Sequence, residues 1–243
     1  MSIRSLRAAM SFLTVLPVAN ADGSPGERLG RAYFPAIGAI VGLAAGVAFV
    51  VTAAATTRLL GAAVAVAVLC ALTGAIHLDG LADTADGLLT HGDEERRLAV
   101  MHEPALGSYG VTAIVAVLVL EVAALASIPT GRVLAALVLA GAVSRLATLP
   151  VIAFVPYVRS GGKGLAAWDP RRRALDLVVG AATVALVSLL DWRRALIAVP
   201  IAALIAAVLA IAARRRLGGA TGDICGAVAE LSQAAVLIVF AVR

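Results

Sequence analysis

Apolar residues fill seven long stretches of the 243-residue chain, near 35–56, 59–77, 108–128, 133–155, 174–190, 195–213 and 223–242. Most approach the roughly 20 residues that a helix needs to cross the hydrocarbon core of a bilayer. They are rich in Ala, Leu and Val and lack the period-two alternation of a membrane β-strand. Lipid offers no partner for a backbone N–H or C=O, so a spanning segment that is not part of a barrel must be helical. The pattern predicts an all-α polytopic transmembrane helix bundle of about seven spans, forming a single integral-membrane domain over residues 1–243. The fifth stretch is short, and the second and seventh each carry polar residues at one end. The opening segment, MSIRSLRAAMSFLTVLPVA, ends its apolar run at Pro17. It reads as a short amphipathic helix on the membrane surface, with Arg4 and Arg7 at the headgroups.

Composition agrees with the pattern and excludes other classes. Hydrophobic residues make up 61% of the chain and charged residues 14%, with a mean hydropathy of +0.99. That is too little polar surface for a water-soluble domain, a disordered protein or a nucleic-acid-binding module. The net charge is +5, and the basic residues lie mostly between the apolar stretches. Fourteen of them fall on one side of a seven-span arrangement: Arg4, Arg7, Arg28, Arg31, Arg96, Arg97, Arg159, Lys163, Arg171–Arg173 and Arg214–Arg216. Five fall on the other: Arg58, Arg132, Arg193, Arg194 and Arg243. Cytoplasmic loops collect Lys and Arg, so the N-terminus is expected in the cytoplasm. The three polar, glycine-rich segments, 77–110, 156–173 and 214–224, then share that face. Cys70 and Cys225 are isolated in apolar sequence and suggest neither a disulfide nor a zinc site.

The richest chemistry lies in HLDGLADTADGL, residues 77–88. On one helix Asp79, Asp83 and Asp86 fall within about 60° of a single face. Three carboxylates on one face repel one another unless a cation sits among them, and hard oxygen ligands suit Mg²⁺ or Mn²⁺. His77 points about 160° away from Asp79 on such a helix and reads as structural. A second cluster is LGGATGDICGAVAELSQ, residues 217–233. Here Gly218, Gly219 and Gly222 precede a helix that Thr221 or Asp223 would cap, and amides at such a start attract anions. Glu230 shares a face with Asp223 two turns on, inside an apolar span, where a carboxylate is a functional candidate. Arg145 sits mid-span and requires a carboxylate, a phosphate or a watery cavity, so a structural ion pair and substrate binding both stay open. Glu121 is one available acid. Glu103, in MHEPALGSYG, is a candidate metal ligand or general base; Arg159 and Lys163, in YVRSGGKGLAAWDPRRR, are candidate phosphate contacts.

These motifs resemble, in order and over nearly the whole chain, the adenosylcobinamide-GDP ribazoletransferase (cobalamin 5′-phosphate synthase) family. The resemblance rests on SFLTVLPV, FPAIGAIVG, HLDGLADTADGL, MHEPALGSYG, Ser144–Arg145, YVRSGGKGL and GGATGDICGAVAEL. Glu103 stands where the family pattern has Asp. The resemblance implies an integral membrane enzyme of a bacterial or archaeal cell membrane, with its active site facing the cytoplasm. It would join α-ribazole, or its 5′-phosphate, to adenosylcobinamide-GDP and release GMP, with Mg²⁺ as cofactor. Asp79, Asp83 and Asp86 would hold the metal. Asp86 or Glu103 would take the hydroxyl proton. Arg145, Arg159, Lys163, Gly218, Gly219, Thr221, Asp223 and Glu230 would contact the phosphates or the nucleotide. A homo-oligomer, or a complex with other cobalamin-assembly enzymes, fits the same picture. Two rival readings are a CDP-alcohol phosphotransferase, whose acidic motif is spaced more widely, and an ion-coupled transporter, whose acids would lie at mid-membrane on several spans.

Overall fold

The computed structural model describes residues 2–18, 29–159 and 163–242. Arg28 and Arg243, counted above for topology, lie outside them, and the side chain of Lys163 is likewise not described. The ten α-helices among the described residues are α1 (Ile3–Leu13), α2 (Phe34–Ala55), α3 (Arg58–Thr73), α4 (Ile76–Leu89), α5 (Glu94–Val100), α6 (Ser108–Ser127), α7 (Thr130–Phe154), α8 (Arg173–Ser188), α9 (Trp192–Leu217) and α10 (Gly222–Ala241). Short 3-10 turns occupy Arg31–Tyr33 and Lys163–Trp168.

Each of the seven apolar stretches is a helix. Among the described residues, five segments are long and apolar enough to cross a bilayer alone: Arg31–Ala55, Ser108–Ser127, Thr130–Phe154, Trp192–Leu217 and Gly222–Ala241. A sixth is reached only by joining α3 to α4, across a bend of 89°. Helix α8 has 16 residues, about 24 Å at the α-helical rise, which is short of a hydrocarbon core of about 30 Å.

The bend has a local cause. Gly74 closes α3 in the left-handed region at φ +62°, and Ala75 follows it there at φ +55°. Their amides turn back onto Ala71 and Cys70. The second apolar stretch therefore ends at Thr73, and the acidic motif starts a new helix running across the bundle.

Helix α7 is the hub. Of its most apolar window 78% is buried, against 22% for α9, whose exposed Leu196, Leu204 and Val208 are suited to lipid. Small residues allow the tightest contact: Gly38 and Gly42 of α2 lie against the α7 backbone at Gly141 and Leu137, with no room for a Cβ. Helix α1 keeps Arg4 and Arg7 exposed and buries Ala9 and Leu13. Its Phe12 stacks on Phe34 at 5.8 Å, so its apolar face docks on the bundle.

Several expected topology arginines also have structural work. Arg31 is buried and ion-paired to Asp176 at 2.6 Å. Arg97 and Arg216 donate to the Leu88 carbonyl at the end of α4, where cations complement the helix dipole.

Candidate active site

Helix α4 crosses the start of α10 where glycine meets glycine. A Cβ on Gly80 would stand 3.1 Å from the Gly226 Cα and 2.9 Å from the Asp223 carbonyl oxygen. This contact brings Asp79 and Asp83 of α4 beside Asp223 in the first turn of α10. Asp223 pairs with Arg159 at 2.7 Å and accepts the Thr221 hydroxyl at 3.1 Å. Thr221 caps α10, its hydroxyl accepting the Ile224 amide at 3.4 Å, which resolves the Thr221-or-Asp223 question.

Arg159 reaches Asp223 because two polar segments are laced together. The Ala220 amide donates to the Pro156 carbonyl at 2.8 Å, and the Val158 amide donates to the Ala220 carbonyl at 3.2 Å. Arg159 also donates to the Met101 carbonyl at 3.1 Å. Its Nε is buried without an acceptor among the described residues.

Asp86 has structural partners of its own. Its two carboxylate oxygens accept the Gly107 amide at 2.8 Å and the Gly110 amide at 3.0 Å. Helix α6 has no side-chain cap of its own, and Asp86 caps it from α4. Seven residues also separate Asp79 and Asp86 by about 10 Å along the helix. One ion alone would not bridge both ends of that face, and in this arrangement Asp86 serves as the cap of α6. Glu103 is exposed, away from the cavity lining, and its contact is a loose surface pair with Arg96 at 3.4 Å. Among the described residues, no three His, Cys, Asp or Glu side chains form a ready-made metal site.

Beside the carboxylates opens a cavity of about 400 Å³. Asp79, Asp223, Arg159 and Gly222 line it, together with His77 and Arg145. Its apolar wall is aromatic: Phe12, Phe34, Tyr157 and Trp168. Tyr157 and Trp168 lie 4.6 Å apart, and the Trp168 indole donates to the Val155 carbonyl at 2.9 Å. Burial holds the Tyr157 hydroxyl above the usual phenol range, so it remains a neutral donor. A wider cavity of about 960 Å³ adjoins it, lined by Thr14, Thr73, Leu78 and Leu106 among others. Phe12, Ile76 and Asp79 face both spaces.

Arg145 is buried, and its Nη1 donates to Ser144 Oγ and Gln233 Oε1, both at 2.8 Å. Nη2 lies 3.4 Å from His77 Nδ1; arginine only donates, so that nitrogen is the acceptor. Gln233 in turn donates to Glu121 at 3.0 Å. The open alternative for Arg145 thus narrows: Glu121 reaches it only through an amide, and no direct carboxylate pair forms.

The other candidates sit as follows. Asp83 is half-buried near Asp79 and Asp223 without lining the smaller cavity. Glu230 is buried within electrostatic reach of Arg145, and it too lies outside the cavity wall. Gly218 ends α9 at φ +72° and Gly219 packs on Pro156; neither lines the cavity. Lys163 begins the 3-10 turn that supplies Gly164, Ala167 and Trp168 to the wall. The sequence reading missed the aromatic wall and the nearness of His77 to Arg145. A usable signal for the wall was the scarcity of aromatic residues, 4% of the chain, of which Phe12, Phe34, Tyr157 and Trp168 flank polar motifs.

Comparison with known proteins places the chain in a family. The family model described as cobalamin-5-phosphate synthase matches residues 5–241. An adenosylcobinamide-GDP ribazoletransferase of Ectopseudomonas mendocina is 40% identical over 240 residues, covering 97% of each chain. One of Stutzerimonas stutzeri is 39% identical, covering 98% of each chain. One of Bradyrhizobium diazoefficiens is 35% identical, covering 98% of this chain and 94% of its own. No solved structure matches the chain. The agreement runs from the first helix to the last and takes in every segment that builds the cavity: the chain belongs to the cobalamin-5-phosphate synthase family.

Proposed function

We propose that the carboxylates and arginines around the smaller cavity carry out the family's reaction with α-ribazole, or its 5′-phosphate, as acceptor. As a family member the chain is a membrane transferase that acts in the last assembly step of cobalamin synthesis. In that step the ribazole 3′-hydroxyl attacks the cobinamide-linked phosphorus of adenosylcobinamide-GDP. The phosphorus bond to the bridging oxygen breaks, and GMP leaves with that oxygen. Membership of this family removes the two rival readings, phosphotransfer to an alcohol from a CDP carrier and ion-coupled transport.

The observation that carries the residue roles is the convergence of Asp79, Asp83 and Asp223 across the Gly80–Gly226 contact. Hard carboxylate oxygens fit Mg²⁺, which usually takes only one or two of them and completes its shell with water and substrate phosphates. That habit explains why no three-ligand cage need exist beforehand. Asp83 and Asp223 would hold the ion; of the expected set, Asp86 is left as the cap of α6 and Asp79 passes to proton transfer. When bound, it offsets charge on the diphosphate and on the leaving GMP. Asp79 stands on the wall shared by the two cavities, so it can take the acceptor's proton as the oxygen attacks. Arg159, with its Nε unpaired, donates to the diphosphate. Such transfer gains mostly from positioning and from charges held ready for the transition state.

The polar ends of α7, α9 and α10 and the start of α8 carry Arg159, Arg171–Arg173 and Arg214–Arg216. The positive-inside rule assigns this end to the cytoplasm of a cell whose inner membrane holds the bundle. The test is direct. Purified protein in detergent or liposomes, given adenosylcobinamide-GDP, α-ribazole and Mg²⁺, should release GMP in step with the joined corrinoid. Asp79→Asn should abolish that release while still binding the cobinamide substrate. Undiminished release from Asp79→Asn would remove it as the proton acceptor.

A further inference from the structure

We propose that the aromatic cavity is the subsite for the nucleoside acceptor, and that Arg145 receives the 5′-phosphate of that nucleoside. The assignment rests on the transfer reaction proposed above and adds to it the place of one substrate.

Three observations carry it. The chain has only ten aromatic residues, and four of them line this one cavity. Aromatic walls suit a planar heterocycle, whose faces stack on them. A cavity of about 400 Å³ falls within the small-ligand range of about 300–1,000 Å³. A nucleoside fits such a space, whereas a corrin macrocycle carrying a nucleotide does not.

The third observation concerns charge. Two nucleoside monophosphates take part in the reaction, GMP as leaving group and the phosphorylated acceptor. The GMP phosphate adjoins the breaking bond and must lie with Asp83 and Asp223. The acceptor's 5′-phosphate takes no part in the chemistry and needs a cation away from that cluster. Arg159 is already paired to Asp223 at 2.7 Å. Arg145 has no carboxylate partner at ion-pair distance, and Ser144, Gln233 and His77 hold its guanidinium in place. Its Nε and one Nη2 hydrogen have no protein acceptor among the described residues. A planar fork fixed in this way matches a phosphate.

The experiment measures binding of α-ribazole 5′-phosphate, α-ribazole and GMP by calorimetry on monodisperse protein, without the cobinamide substrate. It therefore reads the subsite independently of turnover. The wild-type protein should bind the phosphorylated acceptor about 10- to 100-fold more tightly than α-ribazole, the scale of hydrogen bonds to a charged group. Arg145→Gln should erase that difference and leave α-ribazole binding within about threefold, which also shows that the variant is folded. Arg145→Lys, keeping a point charge, should fall between. Trp168→Ala should weaken both acceptors in parallel. The proposal is overturned if wild-type protein does not prefer the phosphorylated acceptor. It is also overturned if the Arg145 variants lose both acceptors equally, or if they weaken GMP alone. Normal discrimination by a protein that releases no GMP would sink the reaction reading and leave the subsite standing.

Discussion

Gly80 on α4 and Gly226 on α10 touch backbone to backbone, and a Cβ on Gly80 would lie 3.1 Å from the Gly226 Cα. On Gly226 a Cβ would meet the His77 carbonyl oxygen at 3.1 Å. These two missing side chains set the separation between the aspartates of the acidic helix and Asp223. A methyl group at either place must push the helices apart by a few tenths of an ångström or more. Gly226→Ala should therefore cost activity out of proportion to stability. A misplacement of about 1 Å in a reacting geometry can cost about 100-fold. GMP release should fall by about 10- to 100-fold while the protein still extracts as a monodisperse species. Wild-type turnover in Gly226→Ala would show that the helix spacing does not govern the site.

Asp86 should separate cleanly from Asp83 and Asp223. Asp86→Ala leaves the Gly107 and Gly110 amides without their shared acceptor at the start of α6. Hydrogen bonds to a charged group contribute about 1.5–3 kcal/mol each at most sites. The variant should lose thermal stability and whatever folded protein remains should keep the wild-type Mg²⁺ dependence. Asp83→Asn and Asp223→Asn should do the opposite, melting near the wild-type temperature but requiring more Mg²⁺ for half-maximal GMP release. A raised Mg²⁺ requirement in the Asp86 variant as well as in Asp83→Asn would return Asp86 to the metal-holding face.

That contrast shows where the sequence was readable and where it was not. Hydropathy located the seven helices because burial in lipid demands long apolar runs, whatever the tertiary arrangement. It could not locate the end of α3, because Ala75 adopts a left-handed backbone that L side chains rarely take, and nothing in its identity announces that. The helical spacing of Asp79, Asp83 and Asp86 was real, but spacing does not say which neighbour each carboxylate meets. Asp86 met the amides of α6, whereas the carboxylate that lies beside Asp79 and Asp83 is Asp223, more than a hundred positions away. Arg145 was recognised as an anomaly because a mid-span charge is costly. Its actual partners, Gln233 and His77, lie on α10 and α4 and are uncharged at the contact, so no charge pattern pointed to them. The aromatic wall was harder to read for a related reason: the scarcity of aromatic residues marked Phe12, Phe34, Tyr157 and Trp168, but they come from four segments that only the fold assembles.

The sidedness of the bundle can be read with thiols. Thr90 follows α4 and Arg215 lies in the last turn of α9, both at the end that carries the site. In a background with Cys70 and Cys225 replaced, Thr90→Cys and Arg215→Cys should resist a membrane-impermeant thiol reagent in intact cells. In inverted vesicles both should react. Labelling from outside the cell would put the site on the wrong face for a cytoplasmic nucleotide substrate.

Arg31 offers the sharpest test of how the cavity wall is held. It is buried before α2, ion-pairs with Asp176 at 2.6 Å, and donates to the carbonyls of Ala167 and Asp169 at 2.7 Å and of Arg171 at 2.8 Å. Those carbonyls belong to the segment that brings Trp168 to the cavity. One guanidinium thus holds three alternate carbonyls at and beyond the end of the short 3-10 turn. Arg31→Lys keeps the charge beside Asp176, but an ammonium cannot reach three diverging carbonyls with a planar fork. The loop should loosen while the helices stay packed. The expected signature is a rise of roughly 10-fold in the acceptor KM, comparable to losing one or two hydrogen bonds in the wall. The KM for adenosylcobinamide-GDP should change little, and protease cleavage within residues 163–172 should accelerate. Arg31→Ala would also leave Asp176 without its partner, and breaking a buried pair is more destructive than weakening it. That variant should lose folded protein as well as affinity. Equal rises in both KM values for Arg31→Lys would mean that Arg31 supports the bundle as a whole and not the wall in particular.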